Sequence, residues 1–273
     1  MHLRYYKFLL SIRPTQLGSV AKAVLRVKRR VIKVSAGTSY WADPVSVFGF
    51  ALLSQGCYEP ALTRVVQRLL RPGDVFVDVG ANEGYFSVLA ARSVQNGIVI
   101  SVEPQTRLIP MIQRNVIMND VRAVCVGNFA LSDRNGQAQL YLRPSSNTGA
   151  SSFYKHWKLG SRWQLVPTKR LDDVLREREV RHVRLIKIDC EGAEGLVLAG
   201  AIDVLRRQMV DFWVMDYHPH ISGLENCQRA HALLSDAGYR LAKHEGLCIY
   251  FAAVQETDLL GLGVSARTES WRD

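Results

Sequence analysis

Five short polar blocks carry the residues whose types and spacing can do chemistry. The first, Asp78-Val79-Gly80-Ala81-Asn82-Glu83-Gly84, follows an apolar run, and Gly80 and Gly84 let the backbone close on a ligand. Asp78 adds a carboxylate, which repels a diphosphate and attracts a cation such as the ammonium and sulfonium of S-adenosylmethionine. Asn82 stands where a nicotinamide-binding G-x-G-x-x-G loop has its second glycine. The second block ends in Glu103-Pro104, where a carboxylate can accept hydrogen bonds from both ribose hydroxyls; its position behind the glycine loop favours this over a solvated strand end. In the third, Gly127-Asn128-Phe129-Ala130, Asn128 and Phe129 can border an adenine, although Phe129 suits a core equally well. The last two, Asp189-Cys190-Glu191 with Glu194 and Asp216-Tyr217-His218-Pro219-His220, combine carboxylates with imidazole, the groups that remove protons near neutral pH.

These blocks need strands that end together. Val75–Val79, Ile98–Val102, residues 123–126, Val183–Ile188 and residues 210–217 are apolar, β-branched runs, and helical patterns lie between them. Helices are expected from Glu59 to the Pro72-Gly73 stop, from Tyr85 to about Ser93, from about Arg107 to Met118, after Leu171-Asp172-Asp173, from Glu194 to about Arg206 and from Cys227 to Ala237. The rhythm is βαβ, so a parallel twisted sheet follows, closed by a hairpin of residues 239–242 and 247–252. In such a sheet the ligand sits beyond the carboxyl ends of the strands, where all five blocks fall. A further strand is expected at residues 137–142. The Ser-, Asn- and Gly-rich stretch from Arg143 to Val166, with Phe153, Tyr154, Trp157 and Trp163, suits a sugar-binding lid, or a surface loop whose rings pack on the sheet.

Charge is distributed unevenly along the 273 residues: the net value is +10, yet nine Lys or Arg precede the first acid, Asp43, leaving 26 basic against 25 acidic residues. The main domain is therefore nearly neutral, which argues against a nucleic-acid partner. Residues 1–42 form a basic extension, 43–255 the domain and 256–273 a tail. Leu17, Val20, Ala21, Val24 and Leu25 recur at helical spacing among Lys22, Arg26, Arg29 and Arg30. A helix docked on the domain by this stripe is the preferred reading, and a peripheral contact with anionic lipid the functional one. A basic, acid-poor start also matches an organellar transit peptide. Five scattered cysteines suggest neither disulfides nor zinc and fit a reducing cytoplasm. No stretch reaches the roughly 20 apolar residues of a membrane span, and Phe8-Leu9-Leu10 is too short an apolar core for a secretory signal.

Taken with their spacing, the blocks resemble the FkbM family of S-adenosylmethionine-dependent methyltransferases. The resemblance runs from about Tyr58 to Phe251. It rests on Gly73 to Asn82 with Gly84-Tyr85, on Glu103-Pro104, on Ala130-Leu131-Ser132-Asp133, and on Ile186 to Glu194 with Val197-Leu198-Ala199-Gly200. Thr168 to Asp172 and His218-Pro219 extend it. It implies an α/β, Rossmann-like class I methyltransferase fold with helices on both sheet faces and a C-terminal antiparallel hairpin. It also implies S-adenosyl-L-methionine as cofactor, and a hydroxyl acceptor on a sugar, glycan or secondary metabolite. Asp78, Gly80, Asn82, Tyr85 and Glu103 become the cofactor set by resemblance. The sequence departs from the family at Glu83, where a small residue is common, at Cys190, commonly apolar, and at Asp216, commonly Glu.

For in-line transfer the protein aligns the acceptor and takes its proton, with His218 as the expected base and Asp189 and Asp216 beside it. Glu191, Trp157, Trp163 and Tyr154 are the expected acceptor contacts, although Asp189 and Glu191 could instead cap the helix that follows. A divalent cation on Asp189, Asp216 and His218 is a further reading, not the favoured one. A nicotinamide-dependent oxidoreductase and a noncatalytic nucleotide-binding module are the rivals from other classes.

Overall fold

The computed structural model describes residues 2–12, 15–35, 37–155 and 162–262. Seven strands make the main sheet: β1 (Val75–Val79), β2 (Ile98–Val102), β3 (Val124–Gly127), β4 (Val183–Ile188), β5 (Val210–Met215), β6 (Arg240–His244) and β7 (Leu247–Phe251). Their order is β6-β7-β5-β4-β1-β2-β3, with β7 antiparallel to both neighbours and the pairs from β5 to β3 parallel. The chain leaves β1 for β2 and β3 on one side, then returns to place β4 on the other. The switch point thus falls between β1 and β4, where a ligand crevice opens.

Both sheet faces are covered, so the central strands are buried throughout and read as continuous apolar runs rather than alternating ones. Phe76, Leu185 and Phe212 point into one core with helices Pro60–Leu69 and Tyr85–Val94. Val77, Ile186 and Trp213 point into the other with helices Leu171–Glu177, Glu194–Ala199 and Leu224–Asp236. The register sets Asp78 of β1 opposite Lys187 of β4, bringing a carboxylate and an ammonium together inside the first core.

Several expectations need correction. The helix expected over residues 194–206 is two, Glu194–Ala199 and Ile202–Arg206. At Gly200 the backbone passes so close to Ser132 that a Cβ would lie 2.0 Å from its carbonyl oxygen. The strand expected at residues 137–142 is Gly136–Tyr141, but it belongs to a second sheet with Ala130–Leu131 and Trp163–Lys169. The presumed loop therefore becomes a strand at Trp163, and before that Tyr141 and Ser152 exchange backbone hydrogen bonds of 2.8 and 3.1 Å. Trp157 lies outside the described residues.

At the N-terminal end, helix Thr15–Val24 forms as expected, but it packs on a preceding helix, His2–Ser11, and leaves Val20 and Val24 59% and 74% exposed. Those side chains do not dock on the domain. The segment is attached by helix His2–Ser11, which packs on helix Val47–Gln55 and buries Leu9, and by ion pairs of Lys22 with Asp43 and Arg29 with Glu83. A hairpin of Arg30–Lys33 and Ser39–Ala42 follows and contributes Ile32, Tyr40 and Ala42 to the first core. At the other end Asp258 pairs with Arg184 and Arg71 and Leu259 is fully buried, so this part of the tail packs on the domain. No helix among the described residues is long and apolar enough to cross a membrane.

Candidate active site

A cleft of about 1030 Å³, counted to its open mouth, lies over the carboxyl ends of β1, β2, β4 and β5. One wall is the glycine loop. Gly80 adopts φ +78°, and a Cβ there would sit 2.0 Å from the carbonyl oxygen of Asp189, so only glycine lets the loops after β1 and β4 touch. Asn82, at φ 51°, is a non-glycine residue in the left-handed region. Two contacts hold it there: its N–H donates to Glu103 Oε2 at 2.8 Å, and its Oδ1 accepts from Thr148 Oγ1 at 2.7 Å. Glu83 turns away from water onto Arg29, which reaches it with both terminal nitrogens at 2.7 and 2.9 Å. The departure from the family pattern at Glu83 thus has a partner 54 residues upstream.

Glu103 lines the cleft at the end of β2 with its carboxylate fixed by two backbone donors, the N–H groups of Asn82 and of Gln105 (2.9 Å). Burial pushes its pKa up to about 7 against those donors. Each oxygen keeps an unused lone pair, so the group can still receive a vicinal diol. Gly80, Asn82 and Tyr85 share this wall. Asp78 does not: it is fully buried beneath the loop, accepting from Ser87 Oγ at 2.6 Å and facing Lys187 Nζ at 3.2 Å. Gly84 also stands behind the wall, where a Cβ would lie 3.1 Å from Ile112. Asn128 braces the turn, donating to the carbonyls of Glu103 and Pro104 at 3.0 and 3.1 Å, and Phe129 packs in the second core.

The opposite wall is built from the ends of β4 and β5. His218 Nδ1 donates to Glu194 Oε1 at 3.1 Å, which fixes the ring, and Gly192 N–H donates to the same oxygen at 3.0 Å. Nε2 then faces Glu191 Oε2 at 3.7 Å, Asp216 Oδ2 at 3.9 Å and Asp189 Oδ1 at 4.0 Å. Burial alone would lower the imidazole pKa, but Glu194 and the three carboxylates outweigh it and raise it to about 9. The neutral imidazole expected from the sequence is therefore an imidazolium at neutral pH. Glu191 rises to about 7 through burial, tempered by His218 and reinforced by Asp189. Nor do Asp189 and Glu191 cap the next helix, whose N-cap receives no side-chain hydrogen bond. Oxygen or nitrogen atoms of Asp189, Asp216 and His218 all lie within 4.8 Å of one another, a spacing that could hold a divalent cation.

Lys187 links the walls from below. It lies 3.2 Å from Asp78 and 3.7 Å from Asp189 and donates to the carbonyl of Gly80 at 2.9 Å. Sequence reasoning missed Glu59, which also lines the cleft, at φ 43°. Burial and then Asp189 raise it to about 7, against Lys187. Its one sequence signal was an acid preceding the proline at a helix start, which reads as a cap, yet it makes no capping bond. Of the expected acceptor contacts, Glu191 lines the cleft. Tyr154 stands behind it against Gly192, and Trp163 is 57% exposed at the start of its strand. Asn147, Gly149, Ser151 and Phe153 are the described residues of the 143–166 stretch that reach the cleft.

The donor set fits a cationic nucleoside better than a dinucleotide. Among the described lining residues the only cations are Lys187 and His218, both already matched by carboxylates, so nothing there is arranged to neutralise a diphosphate.

A family model described as the methyltransferase FkbM domain matches residues 78–241, and one for protein-L-isoaspartate(D-aspartate) O-methyltransferase matches residues 10–136. The 31-O-demethyl-FK506 methyltransferase FkbM of Streptomyces tacrolimicus is 30% identical over 164 residues, covering 49% of this chain and 62% of that protein. The 2-O-methyltransferase NoeI of Sinorhizobium fredii is 27% identical over 162 residues, covering 53% and 64%. The matches thus span somewhat less than two thirds of these curated relatives. Among solved structures, a putative rRNA methylase from Clostridium thermocellum aligns with a TM-score of 0.47 and 10% identity over 72% of this chain and 98% of that one. With the model matching well over half of its length, this chain belongs to the methyltransferase FkbM domain family.

Proposed function

We propose that the protein is an S-adenosylmethionine-dependent O-methyltransferase acting on a hydroxyl of a sugar, glycan or secondary metabolite. The observation that carries this reading is the pairing of two walls across one cleft. Glu103 and the Gly80–Asn82 loop offer a nucleoside seat, and the His218 cluster offers proton acceptors. The names of the two relatives, which methylate a demethylated FK506 position and a 2-hydroxyl, support oxygen as the acceptor atom.

Glu103 holds the ribose hydroxyls, and Asn82 and Gly80 shape the loop beside them. S-adenosylmethionine, when bound, supplies a methyl group on a sulfonium, which leaves as a neutral thioether. The six lining carboxylates, of Glu59, Glu83, Glu103, Asp189, Glu191 and Asp216, suit a cationic ligand, although Arg29 already neutralises Glu83. As the acceptor oxygen attacks, its proton passes to a carboxylate of the Asp189, Glu191 and Asp216 group. Glu191, whose pKa lies near 7, is matched to that task, while the His218 imidazolium holds the carboxylates in place and balances their charge. Phe153 and Ser151 complete the lining, with Ser151 Oγ donating to Gln105 Oε1 at 3.0 Å next to Glu103.

The convergence of Asp189, Asp216 and His218 favours one variant of the reading, in which a divalent cation sits among them and acidifies the hydroxyl. Under that variant the chelated enzyme loses turnover and added magnesium restores it; unchanged turnover after chelation removes it. To test the main reading, the protein is incubated with methyl-labelled cofactor and a panel of polyhydroxylated acceptors. The expected product carries the label in a base-stable ether. Label only in a base-labile ester or on nitrogen, or no transfer to any acceptor, contradicts it.

A further inference from the structure

Residues 3–28 of the basic segment present much of their apolar surface to solvent, although Leu9 is buried where helix His2–Ser11 packs on helix Val47–Gln55. Of the fifteen large hydrophobic residues exposed among the described residues, six fall within residues 3–25: Leu3, Tyr5, Phe8, Val20, Val24 and Leu25. Exposed Arg4, Lys7, Arg26 and Lys28 are interleaved with them, and no acid occurs before Asp43. Two of the segment's cations face inward instead, Lys22 to Asp43 and Arg29 to Glu83, and hold the segment on the domain. At Val20, Lys22 and Val24 this inverts the usual docking of an amphipathic helix, in which the apolar stripe faces the domain and the cations face water.

We propose that helices His2–Ser11 and Thr15–Val24, with the basic residues up to Arg30, form a seat for an anionic lipid bilayer surface. Each helix has ten residues and is about 15 Å long, too short to cross a bilayer, so both lie in the interface plane. Valine, leucine and phenylalanine side chains enter the acyl boundary, and Arg4, Lys7, Arg26 and Lys28 meet the headgroup phosphates. Charge favours this occupant, because exposed Arg4, Lys7, Arg26 and Lys28, with no acid before Asp43, complement an anionic surface. The apolar residues then separate a bilayer from a nucleic acid, which offers aliphatic side chains no buried place. A bilayer also accepts side chains of any outline without a matching groove.

The test uses the full chain, sedimented with vesicles of phosphatidylcholine alone or with roughly a third phosphatidylglycerol. Sedimentation with the anionic vesicles is expected, at least about tenfold stronger than with the neutral ones and weakened by salt. The double variant V20D/V24D should lower it by about tenfold or more while leaving the thermal midpoint unchanged, because both side chains are exposed. F8D gives a second, independent loss. The proposal is overturned if the wild type stays in the supernatant with anionic vesicles, or if V20D/V24D sediments as the wild type does. Equal binding to duplex DNA that the double variant leaves intact overturns it too, as does a dimer that the variant dissolves in a chain that binds no vesicles.

Discussion

The contact between Arg29 and Glu83 permits a quantitative prediction that sequence periodicity could not have supplied. The Glu83 side chain has no exposure and that of Arg29 only 23%, and the pair is bidentate. Replacing Arg29 by Met strands a buried carboxylate in the glycine loop after β1. Removing one partner of a buried pair costs about 3–5 kcal/mol. Because Arg29 is about a fifth exposed and water can partly reach the vacated position, about 2–4 kcal/mol is the expectation here. Arg29 also donates to the Trp41 carbonyl at 3.0 Å, so roughly 1 kcal/mol of this belongs to a separate hydrogen bond. Glu83→Gln in the Arg29→Met background removes the stranded charge and should restore at least about 1.5 kcal/mol. Urea unfolding of wild type, both single variants and the double variant measures the coupling directly. Single variants that each lie within about 0.5 kcal/mol of wild type and combine additively would refute the buried pair and the loop geometry that depends on it.

Other consequences concern the cleft. The pKa of His218 is raised in the folded state to about 9 from 6.5, so its contribution to stability is complete below pH 6.5 and is lost as pH rises through 9. Glu191, raised to about 7 from 4.5, acts in the same direction over its own lower range. The wild type should therefore lose up to about 3 kcal/mol between pH 6.5 and 9 that His218→Gln does not lose; superimposable urea midpoints for the two proteins across that range would refute it. Gly80→Ala drives a methyl against the Asp189 carbonyl at a left-handed φ and should lower stability by more than about 3 kcal/mol, whereas a thermal midpoint within a degree or two of wild type would disprove the close approach. Tyr154→Phe, behind the cleft wall, should change turnover by less than about threefold, and a hundredfold loss would place its hydroxyl at the reacting atoms.

The sheet was legible because its central strands are buried on both faces, and Pro72-Gly73 and the glycines after β1 punctuate them sharply. The second sheet was not. Its middle strand, Trp163–Lys169, is half exposed and contains Pro167, which argues against a ladder position, and it follows a Ser- and Asn-rich approach. The break at Gly200 arises from the passing backbone of Ser132, 68 residues upstream, and helical periodicity cannot see such a contact. In the site, residue types were readable and their states were not. Whether Asp78 faces a ligand or Lys187 is decided by the β1–β4 register, and whether His218 is neutral by four carboxylates that converge only after folding. Glu59 reads as a helix cap until the fold places it over the same cleft.

Calorimetry of the wild type and Glu103→Gln with S-adenosylmethionine and with reduced nicotinamide dinucleotide tests the central claim most directly. The account predicts saturable binding of S-adenosylmethionine, weakened about tenfold or more by the substitution, and no binding of the dinucleotide. Binding of the dinucleotide in place of S-adenosylmethionine, or an affinity for S-adenosylmethionine that Glu103→Gln leaves unchanged, would contradict it.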